Sequence, residues 1–141
     1  MKASLVNAIR RLFDHPIGAW GLLLVYAALI FRVSAQPIGD EIELFPQADK
    51  LLHLIEYGLF GVLAYRAVRA TKRDNGTRIK LFIAIGLGVA YGASDELHQY
   101  FVPTRQPSYA DFVVDVIGVT AGAWFTAKQR QNLGVLTKDQ R

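Results

Sequence analysis

The chain of 141 residues has no cysteine, which removes disulfide scaffolds, thiol nucleophiles, haem attached through Cys and every Cys-based zinc site. It is also poor in charge. Asp, Glu, Lys and Arg make up 20% of the residues against 52% for the apolar set, and mean hydropathy is +0.21. So little charge excludes nucleic acid as a partner, because a basic stripe needs a polar surface to lie on. So many apolar residues exclude disorder. Internal repeats, low-complexity tracts and a phosphate-binding glycine loop are lacking too, and most of the 12 glycines fall inside apolar runs. No cofactor is expected.

What is there is length of apolar run. A helix that crosses a bilayer needs about 20 mostly apolar residues, and four stretches approach or reach that: Ile17 to Phe31, Leu51 to Val68, Ile79 to Leu97 and Tyr109 to Ala127. Each is too long for a spanning strand and lacks the alternation of a barrel wall. The connections are punctuated. Residues 32–48 carry Pro37, Gly39 and Pro46, leaving room for a short amphipathic piece only; Asn75-Gly76 marks a turn; Pro103 and Pro107 stop the third run and tighten the crossover to the fourth. The expected fold class is therefore all-α, a polytopic membrane protein of four transmembrane helices in a compact bundle. Its parts are an N-terminal arm over 1–16, a membrane domain over 17–127 and a polar, frayed tail over 128–141.

Charge sets the orientation. All but Arg32, Lys50 and Arg105 of the 16 Lys and Arg lie in the N-terminal arm, around the second connection or in the tail; all but Asp14, Asp74 and Asp139 of the 12 acids lie toward the opposite side. Lys and Arg resist translocation, so both termini are expected to be cytoplasmic. Arg10-Arg11, the first apolar run and Val33-Ser34-Ala35 imitate a signal peptide. The run is longer than secretion needs and Arg32 precedes the cleavage position, so an uncleaved anchor is the expectation. His15-Pro16 reads as the start of the first helix, and Trp20, Tyr109 and Trp124 as interfacial anchors or lipid-facing bulk.

The remaining polar residues fall at helical spacing. Asp49, His53, Glu56 and Phe60 form one stripe on the second helix, Gly92, Asp95, Glu96 and Gln99 one on the third, with His98 beside Asp95, and Asp111, Asp115, Gly118 and Gly122 one on the fourth. All three open toward the acidic side. Arg105, on the crossover, is the expected counter-charge over Glu96, Asp111 or Asp115, and Lys50 the one for Asp49. Small residues deeper in the helices, Gly58, Gly61, Ala84, Gly88, Gly92 and Gly118-x-x-x-Gly122, allow close approach.

Asp49-Lys50-x-x-His53-x-x-x-Tyr57 resembles the D-K-x-x-H-x-x-x-Y signature of the VanZ-like family. Ser94-Asp95-Glu96-x-x-Gln99-x-Phe101-x-Pro103-Thr104-Arg105, then Asp111-x-x-x-Asp115-x-x-Gly118, resembles its second block. Thr104 stands where the family usually has Gly, and Asp115 where many members have Asn. The resemblance implies a place in the bacterial cytoplasmic (inner) membrane and a link to glycopeptide (teicoplanin-type) antibiotic resistance, without specifying a reaction.

The leading expectation is an outward-facing site for the head group of an envelope lipid or a lipid-linked cell-wall component, built from Asp49, Lys50, His53, Tyr57, Asp95, Glu96, Gln99, Arg105, Asp111 and Asp115. Arg105 and Lys50 suit a phosphate or carboxylate. Three alternatives stay open: a purely structural polar network, a metal-assisted hydrolase of a lipid phosphate with His53, Glu56, Asp95, His98, Asp111 and Asp115 as the ligand pool, and a small proton-coupled transporter relaying through His53, Glu56 and Asp115.

Overall fold

A computed structural model describes residues 14–36, 48–72, 74–103 and 105–138, with side chains through 132. Four α-helices follow one another: α1 (Pro16–Ser34), α2 (Ala48–Thr71), α3 (Thr77–Gln99) and α4 (Tyr109–Lys138), with no strand among the described residues. The far N-terminal arm, the Pro37–Gln47 stretch with its expected amphipathic piece, Thr104 and residues 139–141 lie outside the described residues.

The helix ends follow local chemistry. Pro16 opens α1 after an extended His15, where a missing N–H costs nothing and the ring presets φ. Gly76, also extended, precedes α3. At the start of α4, Ser108 Oγ accepts the Asp111 N–H at 3.3 Å, which satisfies one of the donors left over by the first turn. Asp111 itself lies in that turn, where the helix dipole favours an acid. α4 does not fray at Lys128 as its polar composition suggested; the helix continues to Lys138. Gln129, Gln131 and Leu133 are good helix formers, and no proline interrupts them.

Three of the helices are long and apolar enough to cross a membrane: Pro16–Ser34, Ala48–Thr71 and Tyr109–Asn132. α3 falls outside that set because Arg78 and Lys80 at its start and Asp95 and Glu96 near its end leave too short a clean apolar stretch. The exterior is apolar, with Leu24, Phe82, Phe101 and Tyr109 among many exposed large side chains. Such a surface suits lipid rather than water. Trp124 is exposed, with Lys128 Nζ 4.8 Å from its ring centroid.

The helices run up and down. Asp14, at the start of α1, pairs with Arg69 near the end of α2 and with Arg130 on α4, so these three ends lie together. Trp20 Nε1 donates to Thr71 Oγ1 at 2.8 Å at the same level, which gives this ring a partner within the bundle. α1 leans on the others through two tyrosines, Tyr26 donating to the Glu56 carbonyl at 3.0 Å and Tyr91 to the Ala27 carbonyl at 2.5 Å. α2 is the central helix, burying Tyr57, Phe60, Ala64, Tyr65 and Val68.

The tightest contact is between α2 and α4. A Cβ on Gly122 would stand 1.9 Å from the Gly58 carbonyl oxygen, and one on Gly61 would stand 2.2 Å from that of Val119. Backbone meets backbone at both places, so no side chain can move aside. Gly122→Leu is therefore expected to cost about 1–3 kcal/mol or more, read as a lower melting temperature and a several-fold lower yield of purified protein. Gly21→Ala, with nothing within 4 Å of the added carbon, should match the wild type in both.

Candidate functional site

Two turns from the glycine contact, toward the end opposite Asp14, the three polar stripes meet. Lys50, in the first turn of α2, reaches Asp49 Oδ2 and Asp111 Oδ1, each at 3.1 Å. One turn deeper, His53 Nδ1 lies 2.9 Å from Asp115 Oδ1. Another turn in, the Tyr57 hydroxyl donates to Asp95 Oδ2 at 3.2 Å, and Gln99 Nε2 donates to the same oxygen at 3.3 Å. α2 thus contributes three successive turns of a ladder, the first two bonded to α4 and the last to α3.

Burial increases along it. The Asp49 side chain is 56% exposed, that of Asp111 15% and that of Asp115 1%. Tyr57 is fully enclosed, and Asp95 and Gln99 nearly so. Tyr57 and Gln99 consequently face Asp95 and not the mouth. The aromatic floor beneath is Phe60 and Tyr91, their rings 5.0 Å apart.

Glu96 connects this ladder to the crossover, its Oε2 accepting the Ser108 N–H at 2.7 Å. Its Oε1, together with Asp115 Oδ2 and Asp95 Oδ1, is buried and accepts no hydrogen bond. Buried acceptors are almost always paired, so three bare carboxylate oxygens in one cluster mark it out from an internally complete network. Gly92 leaves room beside one of them, since a Cβ there would lie 3.5 Å from Asp115 Oδ2.

Several expectations are corrected. Arg105 does not lie over Glu96, Asp111 or Asp115; its Nε and Nη2 donate to the carbonyls of Gln36 and Val33 at 3.1 and 3.2 Å. One of these carbonyls lies in the last turn of α1, where it also accepts the Gln36 N–H at 3.1 Å, and the other lies just past the helix end, where the helix supplies no donor. Lys50 serves Asp111 as well as Asp49. His98 does not join Asp95 but packs on Phe31 of α1, ring centroids 4.2 Å apart. Of the six residues in the expected metal pool, only His53 and Asp115 come together with a third ligand, and that third is Glu96; each of the three has one ligand atom within 4.8 Å of the others'. Among the described residues Glu56, Asp95, His98 and Asp111 belong to no such group. Periodicity placed Glu96 on the right stripe, but only the facing of α3 toward α2 and α4 makes it the neighbour of His53.

Beside Glu96 an open cleft of ≈ 230 Å³ runs between α3 and α4, lined by Ala93, Glu96, Pro107, Ser108, Tyr109 and Phe112. Its wall is mostly apolar, with one carboxylate at the inner edge.

Removing the Tyr57 hydroxyl leaves the buried Asp95 carboxylate with one donor fewer. Tyr57→Phe is expected to cost about 1–3 kcal/mol, measured as a lower melting temperature in detergent with unchanged helix content by circular dichroism.

No curated protein and no solved structure matches the chain. The sequence model of the VanZ/LLP1 family matches residues 12–128, a span that holds α1 to α3, the larger part of α4 and every residue of the ladder. The chain belongs to the VanZ/LLP1 family.

Proposed function

We propose that the protein is a four-span inner-membrane protein of the bacterial cell envelope whose acidic end faces outward and binds the head group of an envelope lipid or a lipid-linked cell-wall component. Both termini are cytoplasmic in this reading. Arg69, Lys72, Arg78, Lys80, Lys128 and Arg130 sit toward the end that also holds the start of α1, and such an end stays inside. α3 counts as the fourth span because it is packed against both α2 and α4, with Ala84, Gly88 and Gly92 buried. The membrane domain takes in 17–127, with a cytoplasmic arm before it and a cytoplasmic tail after it.

The observation that carries the lipid reading is the cleft between α3 and α4. An acyl chain fits its apolar wall, and the head group then lies at Glu96 and the mouth of the ladder. Lys50 is the cation it meets, 35% exposed between two carboxylates. Its pair with the more exposed Asp49 is worth about 0–1 kcal/mol, so a phosphate can displace that partner at little cost. An effect on sensitivity to glycopeptide antibiotics follows from a ligand on the cell-wall pathway at the outer leaflet.

Lipids extracted with the purified protein test this reading. The wild type should carry a phosphate-bearing lipid or precursor enriched at least tenfold over the bulk membrane. Ala93→Phe, which fills the cleft without touching the ladder, and Lys50→Gln should each lose that enrichment at unchanged protein abundance. A lipid complement equal to the bulk membrane in the wild type would overturn it. In cells, deletion should change envelope lipid or precursor composition and shift glycopeptide sensitivity, restored by the wild-type chain and not by Ala93→Phe.

A further inference from the structure

Two carboxylates and an imidazole converge at mid-ladder, and among the described residues neither carboxylate makes a salt bridge to a lysine or arginine. The cationic neighbour, Lys50, is held by Asp49 and Asp111, and Arg105 is spent on the end of α1. Glu96 and Asp115 come from different helices, so their proximity is a product of the fold. We propose that His53, Glu96 and Asp115 form a binding site for a single divalent transition-metal cation.

Four observations support the site. One ring nitrogen of His53 and one oxygen each of Glu96 and Asp115 lie within 4.8 Å of one another. Atoms that ligate one ion at about 2.1 Å are at most about 4.2 Å apart, so the side chains need to draw in by roughly 0.6 Å, well within rotamer play. Glu96 Oε1 and Asp115 Oδ2 are two of the three buried carboxylate oxygens without a donor, and the Asp115 side chain is 1% exposed. A cation supplies what no N–H or O–H supplies there. The other Glu96 oxygen is already fixed by the Ser108 N–H at 2.7 Å. Outer contacts of that kind hold metal ligands in orientation. Finally, Gly92 keeps space beside Asp115 Oδ2.

One nitrogen and two oxygens suit Zn²⁺ or Mn²⁺ better than Ca²⁺, which asks for six to eight oxygens, or Cu⁺, which asks for sulfur. Three protein ligands also leave at least one coordination position for an outside donor, the arrangement of ion sites that act on or hold a ligand and not of closed structural sites. The cation site stands independently of the lipid reading, because metal stoichiometry and a metal-dependent thermal shift involve no lipid.

The test uses the full chain purified in detergent, stripped with chelator and re-equilibrated with Zn²⁺ or Mn²⁺. Elemental analysis should return about one equivalent of one of the two ions, and that ion should raise the melting temperature in proportion to its concentration. Glu96→Gln and Asp115→Asn should each weaken binding at least tenfold and remove the thermal shift, while Asp74→Asn, an exposed acid at the other end, should bind as the wild type does. If Asp115→Asn does not fold, Glu96→Gln decides alone, because its loss leaves the His53–Asp115 pair in place. Co²⁺ in the wild-type site should show visible absorption bands that Glu96→Gln lacks. Less than about a fifth of an equivalent, or binding equal in the wild type and Glu96→Gln, would overturn the proposal.

Discussion

The contact on which the rest depends is backbone against backbone between α2 and α4. In lipid, apolar side chains gain nothing by leaving one apolar neighbour for another, so helices associate by close packing and hydrogen bonding. Glycine on both sides provides it: Gly122 lies over Gly58, and Gly118 over the Leu54 carbonyl and the Gly58 N–H. Counting back by turns from that point, His53 falls opposite Asp115 and Lys50 opposite Asp111. A slip of one turn, about 5.4 Å, would separate both pairs. The small residues therefore set the register in which the polar ones meet.

That register makes a buried acid tolerable. A lone charge at mid-depth costs about 2.5–3.5 kcal/mol on insertion scales, and Asp115 is almost fully enclosed. Its position toward the end of the bundle lowers that cost, and the 2.9 Å contact with His53 lowers it further. Hydrogen bonds between spanning helices are worth only about 0.6 kcal/mol on average, so the ladder as a whole is a modest source of stability. The bare oxygens of Glu96, Asp115 and Asp95 work against stability, since a buried acceptor without a donor has lost its water and gained nothing in exchange.

Much of this was legible in the residues. Helix positions followed from run length and from the Pro and Asn-Gly punctuation, and the stripes followed from spacing; Gly58, Gly61, Gly118 and Gly122 lie at the contact their size suggested. What spacing does not encode is which stripe faces which. Asp95 and Glu96 are adjacent, about 100° apart around α3, and only the packed bundle sends one to Tyr57 and the other to Ser108. Arg105 was legible as a cation near acids but not as the partner of carbonyls 69 and 72 residues earlier. His98 was one residue from Gln99 and faces a different helix, α1. α3 shows the limit of run length, since the acids that belong to the polar cluster are the ones that shorten its apolar stretch.

Charge segregation ties topology and site together. A net charge of +4 over the whole chain averages a basic end and an acidic end and describes neither. The basic end contains Asp14 joined to Arg69 and Arg130, an acid enclosed by surplus cations that fastens α1, α2 and α4. The acidic end is the reverse image, with Lys50 enclosed by Asp49 and Asp111 and carboxylates left over beyond it. Each end fastens its helices with the minority charge and keeps the majority in excess. At the basic end the excess is in the loop and tail, where the surrounding solvent and lipid head groups can meet it. At the acidic end part of it is buried, on Glu96 and Asp115, out of reach of bulk solvent. Charge buried away from solvent lacks the compensation that solvent gives the basic end, and it is on this difference in burial, not on the sign of the charge, that the proposed site rests.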